Sequence, residues 1–244
     1  MGSRTTIKHS TMADTPRFAG RISDWIVHKD NQLIAFNKPA GLAVQPDRSE
    51  GPSLLGMGAA YVRHDLYLIH RIDRPVSGLV LLGQKPSAQA ELSRQWREST
   101  VAKHYLAVVA ERPSEDEATL SHQLRNAAGN RSEVVPTGTP NARDAELHYR
   151  YLASSDRYHL LLVELKTGRK HQIRAQLAAI GCPLRGDTKY GFKRANPGGG
   201  IDLHSYQIAY DHPVTGVRTS HLAPVPDGPV WEAFADTIAG LKLS

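Results

Sequence analysis

Residues 70–83 read His70-Arg-Ile-Asp-Arg-Pro-Val-Ser-Gly-Leu-Val-Leu-Leu-Gly83. Leu79 to Leu82 is a short apolar run of the kind that forms a buried strand. The nine residues before it crowd five polar side chains into a loop that Pro75 and Gly78 constrain. Arg71 and Arg74 flank Asp73, and opposite charge favours the carboxylate form. A carboxylate held in a fixed loop can serve as nucleophile or base. The same residues also fit a plainer role, a structural Asp–Arg pair holding a turn.

Strand signals surround this loop. Leu33 to Asn37 reads as a strand that stops at the turn Lys38-Pro39-Ala40-Gly41. Residues 101–110 alternate, with Lys103, Tyr105, Ala107 and Val109 on one face and His104, Leu106 and Val108 on the other. Residues 145–152 and 158–165 form two more strands joined by the turn Ala153 to Asp156, and another strand lies near 204–210 before a turn at Asp211 to Gly216. Residues 112–143, richer in Gly, Pro and polar side chains, read as an excursion of hairpins or loops. Ser87 is placed to cap a helix carrying Ala88, Leu92 and Trp96. A second helix spans roughly 170–180, with Ile173, Leu177 and Ile180 as its stripe and Gly181 past its end. A last helix is predicted near 229–241. Few helices among many antiparallel strands give an α+β fold rather than a doubly wound sheet.

The chain has 244 residues, 30 Lys and Arg against 24 Asp and Glu, a net charge of +6 and a pI near 9.5. That balance suits a polyanionic partner, although a solubility charge looks the same. No apolar run approaches the roughly 20 residues of a membrane span. The single cysteine, Cys182, fits a reducing compartment, and no Cys/His spacing suggests a metal. Residues 1–20 read as a flexible polar arm without a secretory core, and 21–244 as one domain.

Basic residues concentrate in 166–194, where Lys166, Arg169, Lys170, Arg174, Arg185, Lys189, Lys193 and Arg194 face one acid, Asp187. Arg169 and Lys170 fall at a predicted helix N-terminus, where the macrodipole disfavours cations and an anion is welcome. A solvated basic face is the alternative. Ile173 and Arg174 point about 100° apart on a helix, so one can enter the core while the other reaches a cleft. Tyr105 reads as a core tyrosine unless the cleft adjoins it.

Together these segments resemble the RluA-type family of pseudouridine synthases. Its H-R-L-D-x-x-T-S-G stretch stands here as HRIDRPVSG, with Ile72 for Leu and Val76 for a Thr hydroxyl. Further matches are Asn37-Lys-Pro-Ala-Gly41, Lys103-His-Tyr105, Thr167-Gly-Arg-Lys-His-Gln-Ile-Arg174, Gly186-Asp-Thr-Lys-Tyr-Gly191, and Leu203-His204 before His212-Pro213, all in the family's order. The resemblance implies a central mixed, largely antiparallel sheet with flanking helices and an RNA-binding cleft. It implies conversion of uridine to pseudouridine in structured RNA, tRNA or rRNA, with no metal and no cofactor. Asp73 carries over as the nucleophile, Tyr105 as the active-site tyrosine, Arg174 as the ion-pair partner of Asp73, and Ile173 as its apolar neighbour. Arg71 matches the residue that enters the RNA where the base leaves. His70, Arg169 and Lys170 are expected to bind substrate. Too few residues precede the match for the S4 domain of many relatives, so the catalytic domain is expected to recognise its target as a monomer, without an obligate protein partner. The expected compartment is the cytoplasm, or an organelle in a eukaryotic host.

Two other classes compete. A metal-assisted phosphoesterase would use His70, Asp73 and His171 but lacks ligand spacing. A non-catalytic RNA-binding module would keep the basic stretch but needs no Asp–Tyr–Arg constellation.

Overall fold

The computed structural model describes residues 18, 20–47 and 51–243. The arm expected over residues 1–20 therefore lies outside it, apart from Phe18 and Gly20. The chain enters through β1 (Ile26–Lys29) and β2 (Leu33–Lys38), followed by α1 (Leu54–Val62), the short β3 (Tyr67–Leu68), β4 (Ser77–Gly83) and α2 (Pro86–Arg97). The middle is nearly all strand: β5 (Ala102–Val109), β6 (Glu117–Ala127), β7 (Arg131–Val135), β8 (Arg143–Ser154) and β9 (His159–Leu165). Then come α3 (Gln172–Ala179), β10 (Leu203–Asp211), β11 (Arg218–Leu222) and the short helices α4 (Pro229–Glu232) and α5 (Ala235–Ala239).

The eleven strands among the described residues join one sheet in the order β1-β2-β4-β10-β5-β9-β8-β6-β7, with β3 added to β4 and β11 to β10. Every pairing is antiparallel except β4 with β10. This is the mixed, largely antiparallel sheet that the family resemblance implies. Alternation divides its side chains between two layers. Val80 and Leu82 of β4 join Tyr105, Ala107 and Val109 of β5 on the face covered by Leu54 of α1 and by Ile173 and Leu177 of α3. Leu79 and Leu81 turn to the other face, under Leu92 of α2. Leu106 and Val108 continue that face beneath Trp231, Phe234 and Ile238.

The parallel junction explains Gly78. Its φ is +106°, and an added Cβ would lie 2.3 Å from the backbone oxygen of Ser205, its register partner on β10. Only glycine lets the two backbones close up there.

Local boundaries differ from expectation in instructive ways. Ser87 does not cap α2. Lys85 occupies the N-cap without a side-chain bond, and Pro86 opens the helix. The 112–143 excursion is regular hairpin, β6 and β7. α3 starts at Gln172 because His171 takes the left-handed conformation, φ +52°, so Arg169 and Lys170 precede the helix. The C-terminal helix is broken into two short pieces at Phe234, which departs from helical geometry while burying its ring.

Candidate active site

The Asp73 loop is fixed by its own backbone. The carbonyl of Asp73 accepts the N–H of Val76, that of Arg74 accepts Gly41 N–H at 2.7 Å, and that of Pro75 accepts Ile201 N–H. Lys38, fully buried, donates its ammonium to the carbonyls of Pro39, Leu42 and Arg74. Burial pulls Lys38 down to about 7, with the Asp73 charge working against that fall. The Asn37–Gly41 turn and the Asp73 loop are thus zipped together, and Arg74 adds Nε to the Gly41 carbonyl.

The cation beside Asp73 comes from 101 positions away. Arg174 donates Nη1 to Asp73 Oδ2 at 3.0 Å, while Nε and Nη2 make a fork with Asp187 at 2.7 and 2.9 Å. Burial works against its charge, and Asp187 and then Asp73 outweigh burial. One guanidinium therefore serves two carboxylates. Asp187 is buried, whereas the Asp73 side chain keeps 25% exposure toward the pocket. α3, which carries Arg174, is clamped in turn. Gln172 bonds Thr167, Arg169 N–H and the Glu146 carbonyl, and Gln176 bonds the carbonyls of Leu120 and Ala145.

His171 approaches Asp73 from the other side, Nε2 to Oδ2 at 3.7 Å. Its Nδ1 lies 2.9 Å from the hydroxyl of Tyr190, which donates to the Ser132 carbonyl and accepts the Ser132 N–H. The contact with Tyr190 fixes the orientation of the His171 ring. Burial pushes His171 down to about 4, which keeps the ring neutral, while Asp73 pulls the other way. The Tyr190 ring also faces the Arg174 guanidinium at 4.9 Å.

These groups line one pocket of about 550 Å³. Tyr105 and Ile173 form apolar wall, and His70, Arg71, Lys103 and Arg169 stand around it. Burial raises the Tyr105 phenol to about 12, and the nearby Asp73 charge adds to the rise. At neutral pH it is a ring with an O–H, not a phenolate.

Residues 32–179 match the family described as RNA pseudouridylate synthase. An uncharacterised RNA pseudouridine synthase of Bacillus subtilis is 31% identical over 89% of this chain and 72% of its own length. The ribosomal large subunit pseudouridine synthase C of Rickettsia conorii is 30% identical, over 84% and 69%. The chain belongs to the RNA pseudouridylate synthase family. Its fold agrees with the human RNA pseudouridylate synthase domain-containing protein 4, TM-score 0.69 at 21% identity, covering 89% of this chain and 94% of that one. Family membership decides among the three function classes in favour of the isomerase.

Within this pseudouridine synthase the structure brings Asp73, Tyr105, Arg174, Ile173, His70, Arg71 and Arg169 to a single pocket. Lys170 is not in it; its ammonium goes to the Asn130 side chain on the β6–β7 hairpin. Arg169 is exposed and bonds the Asp144 carbonyl through Nε. The His70 ring is anchored, stacked on Trp96 at 4.5 Å and accepting the Leu81 N–H. Arg71 is exposed at the mouth, with no ion pair among the described residues. Of the loop arginines, Arg74 bonds the Gly41 carbonyl and pairs with Asp47. Sequence reasoning missed the supporting trio Asp187, Tyr190 and Ser132. Its signal was the segment Gly186–Gly191, visible as a motif but silent about what Asp187 and Tyr190 touch.

Proposed function

We propose that Asp73 is the catalytic carboxylate of this synthase and that the pocket receives a uridine turned out of its RNA stack. One observation carries this reading: a part-exposed carboxylate, oriented by a buried arginine, opens onto a pocket walled by Tyr105 and Ile173. The N1–C1′ bond of the uridine breaks, uracil turns, and a C5–C1′ bond forms, with the C5 proton lost and N1 regaining one. The geometry suits three roles for the carboxylate: attack on C1′, attack on the base, or removal of the C2′ proton.

Arg174 aims Asp73 through its Nη1 hydrogen bond. Tyr105 stacks on the base, and its high pKa favours it as platform and O–H donor over resident base. Ile173 helps keep the detached uracil in a partly dry space. Arg71, exposed at the mouth, fills the place the base leaves, while Arg169 and His70 border the path of the nucleotide. Lys170, outside the pocket, contributes through the positive surface.

The substrate is a structured RNA, tRNA or rRNA. Names among the relatives, ribosomal large subunit synthases C and D, favour rRNA. The enzyme works as a cytoplasmic monomer without a cofactor. Among the described residues no helix is long and apolar enough to cross a membrane. Mapping pseudouridine in cellular RNA with and without the protein tests the reading. It requires at least one uridine whose conversion follows the protein; an unchanged map would reject it.

A further inference from the structure

The two buried lysines of the site are treated in opposite ways. Lys38 has three carbonyls around its ammonium. Lys103, two residues before Tyr105 on β5 and 6% exposed, lines the same pocket, and its ammonium makes no hydrogen bond or ion pair among the described residues. The charged groups facing it do not fill the gap. Glu164, whose charge favours the ammonium, already pairs with Lys166 at 2.5 Å, and Lys166 repels. His70 is neutral, and burial together with the Lys103 charge keeps it so. The stem of Lys103 is buried while its ammonium lines the pocket, where an entering anion would meet it. Burial lowers the Lys103 pKa.

We propose that Lys103 receives a backbone phosphate of the RNA, at a phosphodiester adjoining the uridine in the pocket. The proposal rests on reading the pocket as the uridine site. An anion suits this position because Glu164, the acid that favours the ammonium, is already paired with Lys166, and uracil brings only neutral carbonyls as it enters. Lysine suits phosphate as a point charge, without the fork geometry arginine uses. Lys103 and Tyr105 are roughly 7 Å apart along the strand, comparable to the reach from a base to its own sugar–phosphate. Arg71 and Arg97, exposed beside it, lead the strand toward this point.

The test is a cycle between protein and RNA. Lys103→Met and Lys103→Arg are compared with wild type on a stem-loop carrying the mapped uridine, made with all phosphates or with one neutral methylphosphonate 5′ or 3′ of it. For Lys103→Met the proposal expects a KM about tenfold higher with kcat within about twofold, a difference worth about 1.4 kcal/mol. The salt slope of binding should fall by about one. One of the two methylphosphonates should weaken wild type by a similar factor and leave Lys103→Met unaffected. Lys103→Arg should recover most of the affinity, and the melting temperature of Lys103→Met should be unchanged or higher. A loss confined to kcat, equal methylphosphonate penalties in both proteins, or a lowered melting temperature would each overturn it. Failure of the site reading looks different: Asp73→Asn would then remain active, while the binding cycle at Lys103 would still read out.

Discussion

Arg174 grips Asp187 with two nitrogens and leaves one for Asp73. The fork geometry of guanidinium makes this division possible; an ammonium cannot span both carboxylates in one plane. Arg174→Ala leaves two carboxylates without a cation. Breaking a buried pair in this way costs about 3–5 kcal/mol, so denaturant unfolding should show a large loss of stability together with lost activity. Arg174→Lys should restore part of each. Asp187→Asn should keep the fold yet lower kcat, because the arginine loses its anchor while Asp73 itself is intact. Wild-type kcat in Asp187→Asn would remove Asp187 from the positioning of the site.

Arg71 separates structure from function. It is exposed and has no ion-pair partner among the described residues. Arg71→Ala should therefore leave the melting temperature within a degree or so, since surface changes are usually within about 0.5 kcal/mol. Activity on a folded stem-loop should fall far more than on a flexible single strand, where unstacking the uridine is cheapest. Equal losses on both RNAs would contradict a role in base extrusion.

The pH behaviour follows from buried histidines. Burial takes His70 to about 3 and His171, His204 and His221 to about 4, from 6.5. The unfolded chain then binds protons that the folded chain refuses. Their contribution is full above pH 6.5 and is lost as pH falls from there toward 4. Unfolding titrations between pH 7 and 4 should show falling stability with uptake of several protons. His171 stays neutral and Tyr105 protonated from about pH 6 to 9, so neither should shape the activity profile there, and the inflection expected in that window is that of Lys38, at about 7. A Lys38→Met variant that stays folded should lose that inflection; an inflection that persists in it would show another group, such as His171, titrating instead.

Gly78 carries the parallel junction. Gly78→Ala forces a methyl against Ser205 backbone and strains a positive φ. The variant should lose more than about 1 kcal/mol in denaturant unfolding. Wild-type stability would mean the β4–β10 contact yields easily.

The strands that feed the site were legible because their side chains alternate or run apolar without break: β2, β4, β5, β8, β9 and β10. The edges were not. β1 is only part-buried, and β11, Arg218–Leu222, is polar and half exposed, so neither shows a core pattern. α1 was hidden by Gly56 and Gly58. Gly58 is needed there because a Cβ would press on Leu66 at 2.9 Å. At the site, ordered motifs picked out Asp73, Tyr105 and Arg174. Two kinds of partner for Asp73 were open in the sequence, the adjoining arginines or Arg174. Arg71 and Arg74 adjoin Asp73 in sequence, yet the loop sends Arg74 to the Gly41 carbonyl and Arg71 outward. Proximity in the chain says little about pairing when a turn reverses every side chain. Asp187 needed the fold, since only tertiary packing shows that it shares an arginine with Asp73.

The account rests on Asp73, and Asp73→Asn tests it most directly. The amide keeps the shape and can still accept from Arg174 but can act neither as nucleophile nor as base. Purified mutant should show wild-type circular dichroism, bind the mapped stem-loop with affinity close to wild type, and release no pseudouridine on complete digestion of the RNA. Pseudouridine formed by the folded mutant at a rate near that of wild type would contradict the assignment of Asp73.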